Sequence, residues 1–67
     1  MNIHMNIHKI KQKISAFAHE ERVITTSEIA EKFSMSWNTA EKYLLEMALD
    51  GILVRKKKQG VNLWLPK

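Results

Sequence analysis

Apolar residues recur at intervals of three and four over Ile3, Ile7, Ile10, Ile14 and Phe17, which predicts one buried face of a first helix. That helix is expected from about Ile3 or Asn6 to about His19. The β-branched pair Val23-Ile24 then suits a few residues of strand. Thr25-Thr26-Ser27-Glu28 has the form of a capping box, with Thr25 as N-cap and Glu28 reaching back. Ile29, Ala30 and Phe33 mark the inner side of a short second helix ending near Ser34. Ser36 is a second N-cap, and from Trp37 the chain can stay helical to Asp50, with Ala40, Tyr43, Leu44 and Met47 on one side and Gly51 as the stop. Two helices therefore meet across a turn of three or four residues.

Beyond Gly51 the period changes. Ile52-Leu53-Val54 and Val61-Asn62-Leu63-Trp64-Leu65 are two β-rich runs joined by a polar segment that ends in Gly60, the pattern of an antiparallel hairpin. Alternation puts Val61, Leu63 and Leu65 on one face of the second run and Asn62 and Trp64 on the other, with Pro66 as its end. Val61, Leu63 and Leu65 are expected to face the core. The element order is helix, short strand, helix, helix, strand, strand, an α+β class that uses the whole chain.

A chain of 67 residues holds one thin core, so residues 1–67 are expected to form a single domain. The apolar fraction of 45% is that of a folded globule, and without cysteine neither a disulfide nor a thiolate metal site can staple it. The opening MNIHMNIH is a tandem tetrapeptide whose first residues, 1–5, are expected to fray. His4 and His8 share a helix face, but two imidazoles without a third ligand suit solvated or capping roles better than a metal site. No metal and no cofactor is expected. No apolar run approaches a membrane span and no signal-peptide core opens the chain, so a cytoplasmic protein without a membrane partner is expected.

Charge is segregated along the chain. Lys9, Lys11 and Lys13 lie in a stretch without acid, as do Arg55, Lys56, Lys57, Lys58 and Lys67, while all seven carboxylates fall between Glu20 and Asp50. Clustered cations focus a field that scattered ones would cancel, which points to a polyanionic partner for the 55–58 run; the Lys9, Lys11, Lys13 set alone reads as a solvated face.

The positions Ile29-Ala30, Phe33, Met35, Ser36, Thr39-Ala40, Tyr43-Leu44, Met47 and Gly51-Ile52-Leu53 follow apolar-Ala, apolar, turn, Ser-x-x-Thr-small, aromatic-Leu, apolar, Gly-apolar-apolar. In this the chain resembles the winged helix-turn-helix domains of small bacterial and archaeal DNA-binding regulators, over about residues 7 to 65. Ser34 departs from the pattern where the turn often has glycine. The resemblance implies a three-helix core with a C-terminal β-hairpin wing and a sequence-specific double-stranded DNA-binding transcriptional regulator, with repression as the expected output.

In such a domain the second helix of the motif enters the major groove by its N-terminal end. Trp37, Asn38, Thr39, Glu41 and Lys42 are then the outward set of helix 37–50. Asn38 suits adenine, Thr39 or Trp37 a thymine methyl or sugar, and Lys42 guanine or phosphate, while Ser36 and the helix-start amides suit a phosphate. For Trp37 a second reading stands beside contact, a local lid over the turn against Phe33 or Met35. The wing 55–60 adds Arg55, Lys56, Lys57, Lys58 and Gln59, expected at a hairpin tip and, by the resemblance, along phosphates or in the minor groove.

There is no glycine-rich phosphate loop, no nucleophile and base at a recognisable spacing and no metal-ligand cluster, so an enzyme is not expected. The alternative functional class is a winged-helix protein-interaction module within a larger transcription or sorting assembly. Ile3, Met5, Leu45, Leu49 and Trp64 lie off the assigned core faces, and this surplus apolar surface leads to an expected homodimer through the first helix and Trp64.

Overall fold

The computed structural model describes residues 6–67. The expectations for Ile3, His4, Met5 and a frayed start lie outside the described residues. In chain order the elements are α1 (Ile7–Glu21), β1 (Ile24–Thr25), α2 (Thr26–Lys32), α3 (Trp37–Leu49), β2 (Leu53–Lys58) and β3 (Val61–Pro66). This is an α+β fold of three helices and an antiparallel sheet, compatible with the winged-helix expectation.

Each helix starts where a short polar side chain can accept from its first turn. Asn6 caps α1, its Oδ1 accepting from the Lys9 amide at 2.8 Å. Thr25 and Glu28 close the expected capping box: the Glu28 amide donates to the Thr25 hydroxyl at 3.2 Å and the Thr25 amide to the Glu28 carboxylate at 2.8 Å. Ser36 caps α3.

The ends of α2 and α3 are alike. At α3, Gly51 donates to the Ala48 carbonyl and Ile52 to that of Met47, with Gly51 at φ 77°. At α2, Ser34 donates to Glu31 and Met35 to Ala30, with Ser34 at φ 54°. Both are Schellman motifs, which place one residue in the left-handed region that glycine adopts without steric cost. Ser34 thus takes, with a side chain, the left-handed position that Gly51 takes at the end of α3.

The sheet has the order β1-β3-β2, so β3 is central although it comes last in the chain. Ile24 and Thr25 pair with Trp64 and Leu63, and on the other side Leu53, Arg55 and Lys57 pair with Pro66, Trp64 and Asn62. Residues directly opposite each other share a face, so Leu53, Arg55 and Lys57 project to the side of Trp64 and Asn62, and Val54, Lys56 and Lys58 to the other.

The core comprises Ile14, Ala18, Ile24, Ile29, Ala40, Leu44, Met47, Leu53 and Trp64, with Ile10, Phe17, Phe33, Met35 and Tyr43 packed against it. This corrects the expected β3 orientation. Trp64 is 0% exposed and Val61 is half exposed, so the inward face is that of Asn62 and Trp64. Alternation defines two faces without saying which is inward. The largest apolar side chain takes the core, and its N–H finds an acceptor there. Trp64 is therefore not available to a second copy, and a homodimer contact through it is excluded.

Candidate nucleic-acid interface

Residues 33–36 separate α2 from α3, and the turn presents the N-terminal end of α3 at the surface. Ser36 fixes that end. Its hydroxyl accepts from the Thr39 amide at 3.1 Å and donates to the Thr39 hydroxyl at 2.9 Å, which leaves the Thr39 proton free to be given outward. Asn38 and Lys42 are exposed, and Thr39 is half-buried. Trp37 is 49% exposed in the first turn.

Trp37 does not stand alone. With Thr25, Thr26, Ser27, Glu41, Lys57, Gly60, Val61 and Asn62 it lines an open groove of about 420 Å³ between the starts of α2 and α3 and the end of the hairpin. The indole thus forms one wall of a groove whose other wall carries a lysine. That placement pairs helix and hairpin as two sides of one surface, which neither the contact reading nor the lid reading of Trp37 anticipates.

The wing differs in detail from its expected form. Arg55, Lys56, Lys57 and Lys58 are all exposed, but they lie along β2 rather than at the tip. The tip is the two-residue turn Gln59-Gly60, with φ 52° and 80°, the positive pair of a type I′ turn whose twist matches the flanking strands. Alternation divides the cations. Arg55 and Lys57 share the face of Trp64 and Asn62, with Lys57 in the groove, whereas Lys56 and Lys58 project from the opposite face.

Glu41 is not directed as expected. One carboxylate oxygen accepts from the Thr26 hydroxyl at 2.6 Å and the other from the Asn62 amide nitrogen at 2.8 Å. Thr26 in turn accepts from the indole N–H of Trp64 at 3.0 Å. An indole N–H can only donate, so Thr26 must accept from it and turn its own proton to Glu41, whose carboxylate thus receives two donors, the Thr26 hydroxyl and the Asn62 amide. The network joins α2, α3 and β3. Asn62 is held by it in an orientation that leaves its buried Oδ1 without a partner among the described residues.

Thr26 and Asn62 are the residues that sequence reasoning missed. Thr26 is hidden behind the stronger capping signal of Thr25, and Asn62 is an ordinary polar residue in an alternating strand. A usable clue was the need of any buried tryptophan for an N–H acceptor.

Among the described residues no group of three or more His, Cys, Asp or Glu side chains could hold a metal ion. No helix among them is long and apolar enough to cross a membrane.

The fold and this surface define a small α+β domain with a helix–turn–helix, an exposed helix start and a basic hairpin. Over residues 2–63 the chain matches the family described as "Bacterial protein of unknown function (DUF977)", and it belongs to that family. No curated protein matches it.

Proposed function

We propose that the protein is a winged helix-turn-helix transcriptional regulator, a repressor that binds double-stranded DNA in a sequence-specific manner and has no enzymatic activity. The observation that carries this reading is the pairing, across one groove, of an exposed, serine-capped helix start with the basic hairpin strand, whose Lys57 enters the groove. The first turn of α3 offers unpaired amide dipoles and the outward Asn38 and Lys42 to the major groove. The β2 cations serve the phosphates, and a row of like charges on an edge strand suits a polyanion better than another chain.

Within this reading Ser36 positions the helix start, Asn38 and Lys42 read bases, and Thr39 and Trp37 touch sugar or a thymine methyl. Arg55, Lys56, Lys57, Lys58 and Gln59 grip the backbone. Pairing of two copies remains part of the proposal with Trp64 removed from it, on the exposed apolar residues Ile7, Leu45, Leu49 and Ile52. The test is a binding titration on a random duplex and on a duplex recovered by selection from a random pool. Preference for the selected duplex supports the reading, and absence of binding to both overturns it.

A further inference from the structure

Glu41 is the one acid that lines the groove between the start of α3 and the hairpin. It lies there between two features that attract phosphate, the α3 start and Lys57. A carboxylate in that place weakens any interface with a polyanion. Its fixed geometry suggests what the cost achieves. Glu41 is the junction of the Trp64, Thr26, Glu41 and Asn62 network, and through Asn62 it ties the wing strand directly to α3.

We propose that Glu41 is a positioning and specificity-determining residue of the DNA interface. The proposal rests on the DNA-binding reading and deepens it. As an anchor, Glu41 fixes α3 against β3 through Asn62 and against α2 through Thr26, so that base contacts from Asn38 and phosphate contacts from Lys57 are made in one register. As a charge, it repels a phosphate drawn into the groove by the helix dipole and Lys57. A duplex that places its phosphates elsewhere while offering the right base edges escapes the repulsion, and a random duplex does not. The same side chain thus strengthens cognate binding through geometry and weakens random binding through charge.

Two variants separate these effects. Glu41→Gln keeps the shape and the acceptor for Thr26 and removes the charge, and the Asn62 amide can turn over to offer its unpartnered Oδ1 to the new N–H₂, which keeps the tie to the wing. Asn62→Ala breaks the tie and leaves the charge. Binding of each full-length variant and of wild type is measured on the selected and the random duplex, with thermal melting as the fold control. For Glu41→Gln, affinity for the random duplex is expected to rise about threefold, while affinity for the selected duplex changes little. For Asn62→Ala, only the selected duplex should lose, by about tenfold, the size of one lost specific contact.

Loss of stability alone cannot raise affinity for one substrate, so the opposite signs identify the role. Equal losses on both duplexes in step with melting temperature, or an unchanged ratio in both variants, would overturn the proposal. Should Glu41→Gln fail to fold, Asn62→Ala decides: a ratio equal to that of wild type overturns the proposal. A wild type that binds neither duplex would instead overturn the DNA-binding reading itself.

Discussion

The indole N–H of Trp64 donates to the Thr26 hydroxyl at 3.0 Å, across 38 positions of sequence, and so locks the last strand to the start of α2. Both partners are buried. Trp64→Phe keeps most of the apolar contact and removes the donor, with an expected loss of about 1–3 kcal/mol in a urea melt. Trp64→Ser removes the ring as well and should cost about 3–5 kcal/mol, a large share of a small domain's stability. The serine variant should therefore unfold, not merely dissociate. Pairing of copies is better tested by sedimentation of Leu49→Ser, since Leu49 is 87% exposed.

Ser34, at φ 54°, holds the glycine position of the turn between α2 and α3. A side chain in the left-handed region costs about 1–2 kcal/mol, partly offset by the greater freedom that glycine gives the unfolded chain. Ser34→Gly should raise stability by about 0.5–1 kcal/mol in thermal melting, with DNA affinity unchanged. A destabilised variant would mean that the serine hydroxyl contributes something the backbone geometry does not explain.

Lys11 and Glu46 form an ion pair at 2.8 Å that ties α1 to α3. The hydrogen bond from Lys11 holds the Glu46 pKa below its ordinary value, the charges of Lys11 and Lys42 add to this, and desolvation opposes it. A carboxylate depressed on folding contributes stability above its unfolded pKa and loses that contribution as pH falls through the folded value. Wild type should therefore lose stability on acidification below the ordinary carboxylate range. In Glu46→Gln this part of the pH dependence should vanish, measured by melting temperature against pH.

Asn38 and Lys42 are exposed on the first turns of α3. If either makes a bidentate base contact, its alanine variant should cost about 1–3 kcal/mol on a selected duplex and much less on a random one. Equal losses would reassign the residue to phosphate. Trp37→Ala should leave the melting temperature almost unchanged, because the ring is half exposed, and should weaken binding. A lowered melting temperature with intact binding would favour the lid.

Much of this fold is legible in the sequence because its punctuation is local. Thr25 with Glu28, Ser36 and Gly51 each act within a few residues of themselves, and each stands at the helix end expected of it, while Asn6, given only as one of two starts for the first helix, is its N-cap. The facing of β3 is not local. It depends on Trp64 meeting Thr26 and on β3 lying between β1 and β2, which no short window records. Glu41 fails for the same reason: helical spacing places it near the reading surface, while partners 15 and 21 residues away engage its carboxylate. The cationic run was legible as charge. Its placement along a strand depended on how short a turn Gln59-Gly60 could make.

The most direct test of the account is the salt dependence of duplex binding for wild type and for the Lys56→Ala, Lys57→Ala, Lys58→Ala triple variant. A wing that neutralises four or five phosphates gives a log-log slope of roughly −4 per subunit, and the triple variant should lose about three units of it while weakening selected and random duplexes alike. A triple variant that binds DNA with the affinity and slope of wild type would contradict the claim that the basic strand is the grip.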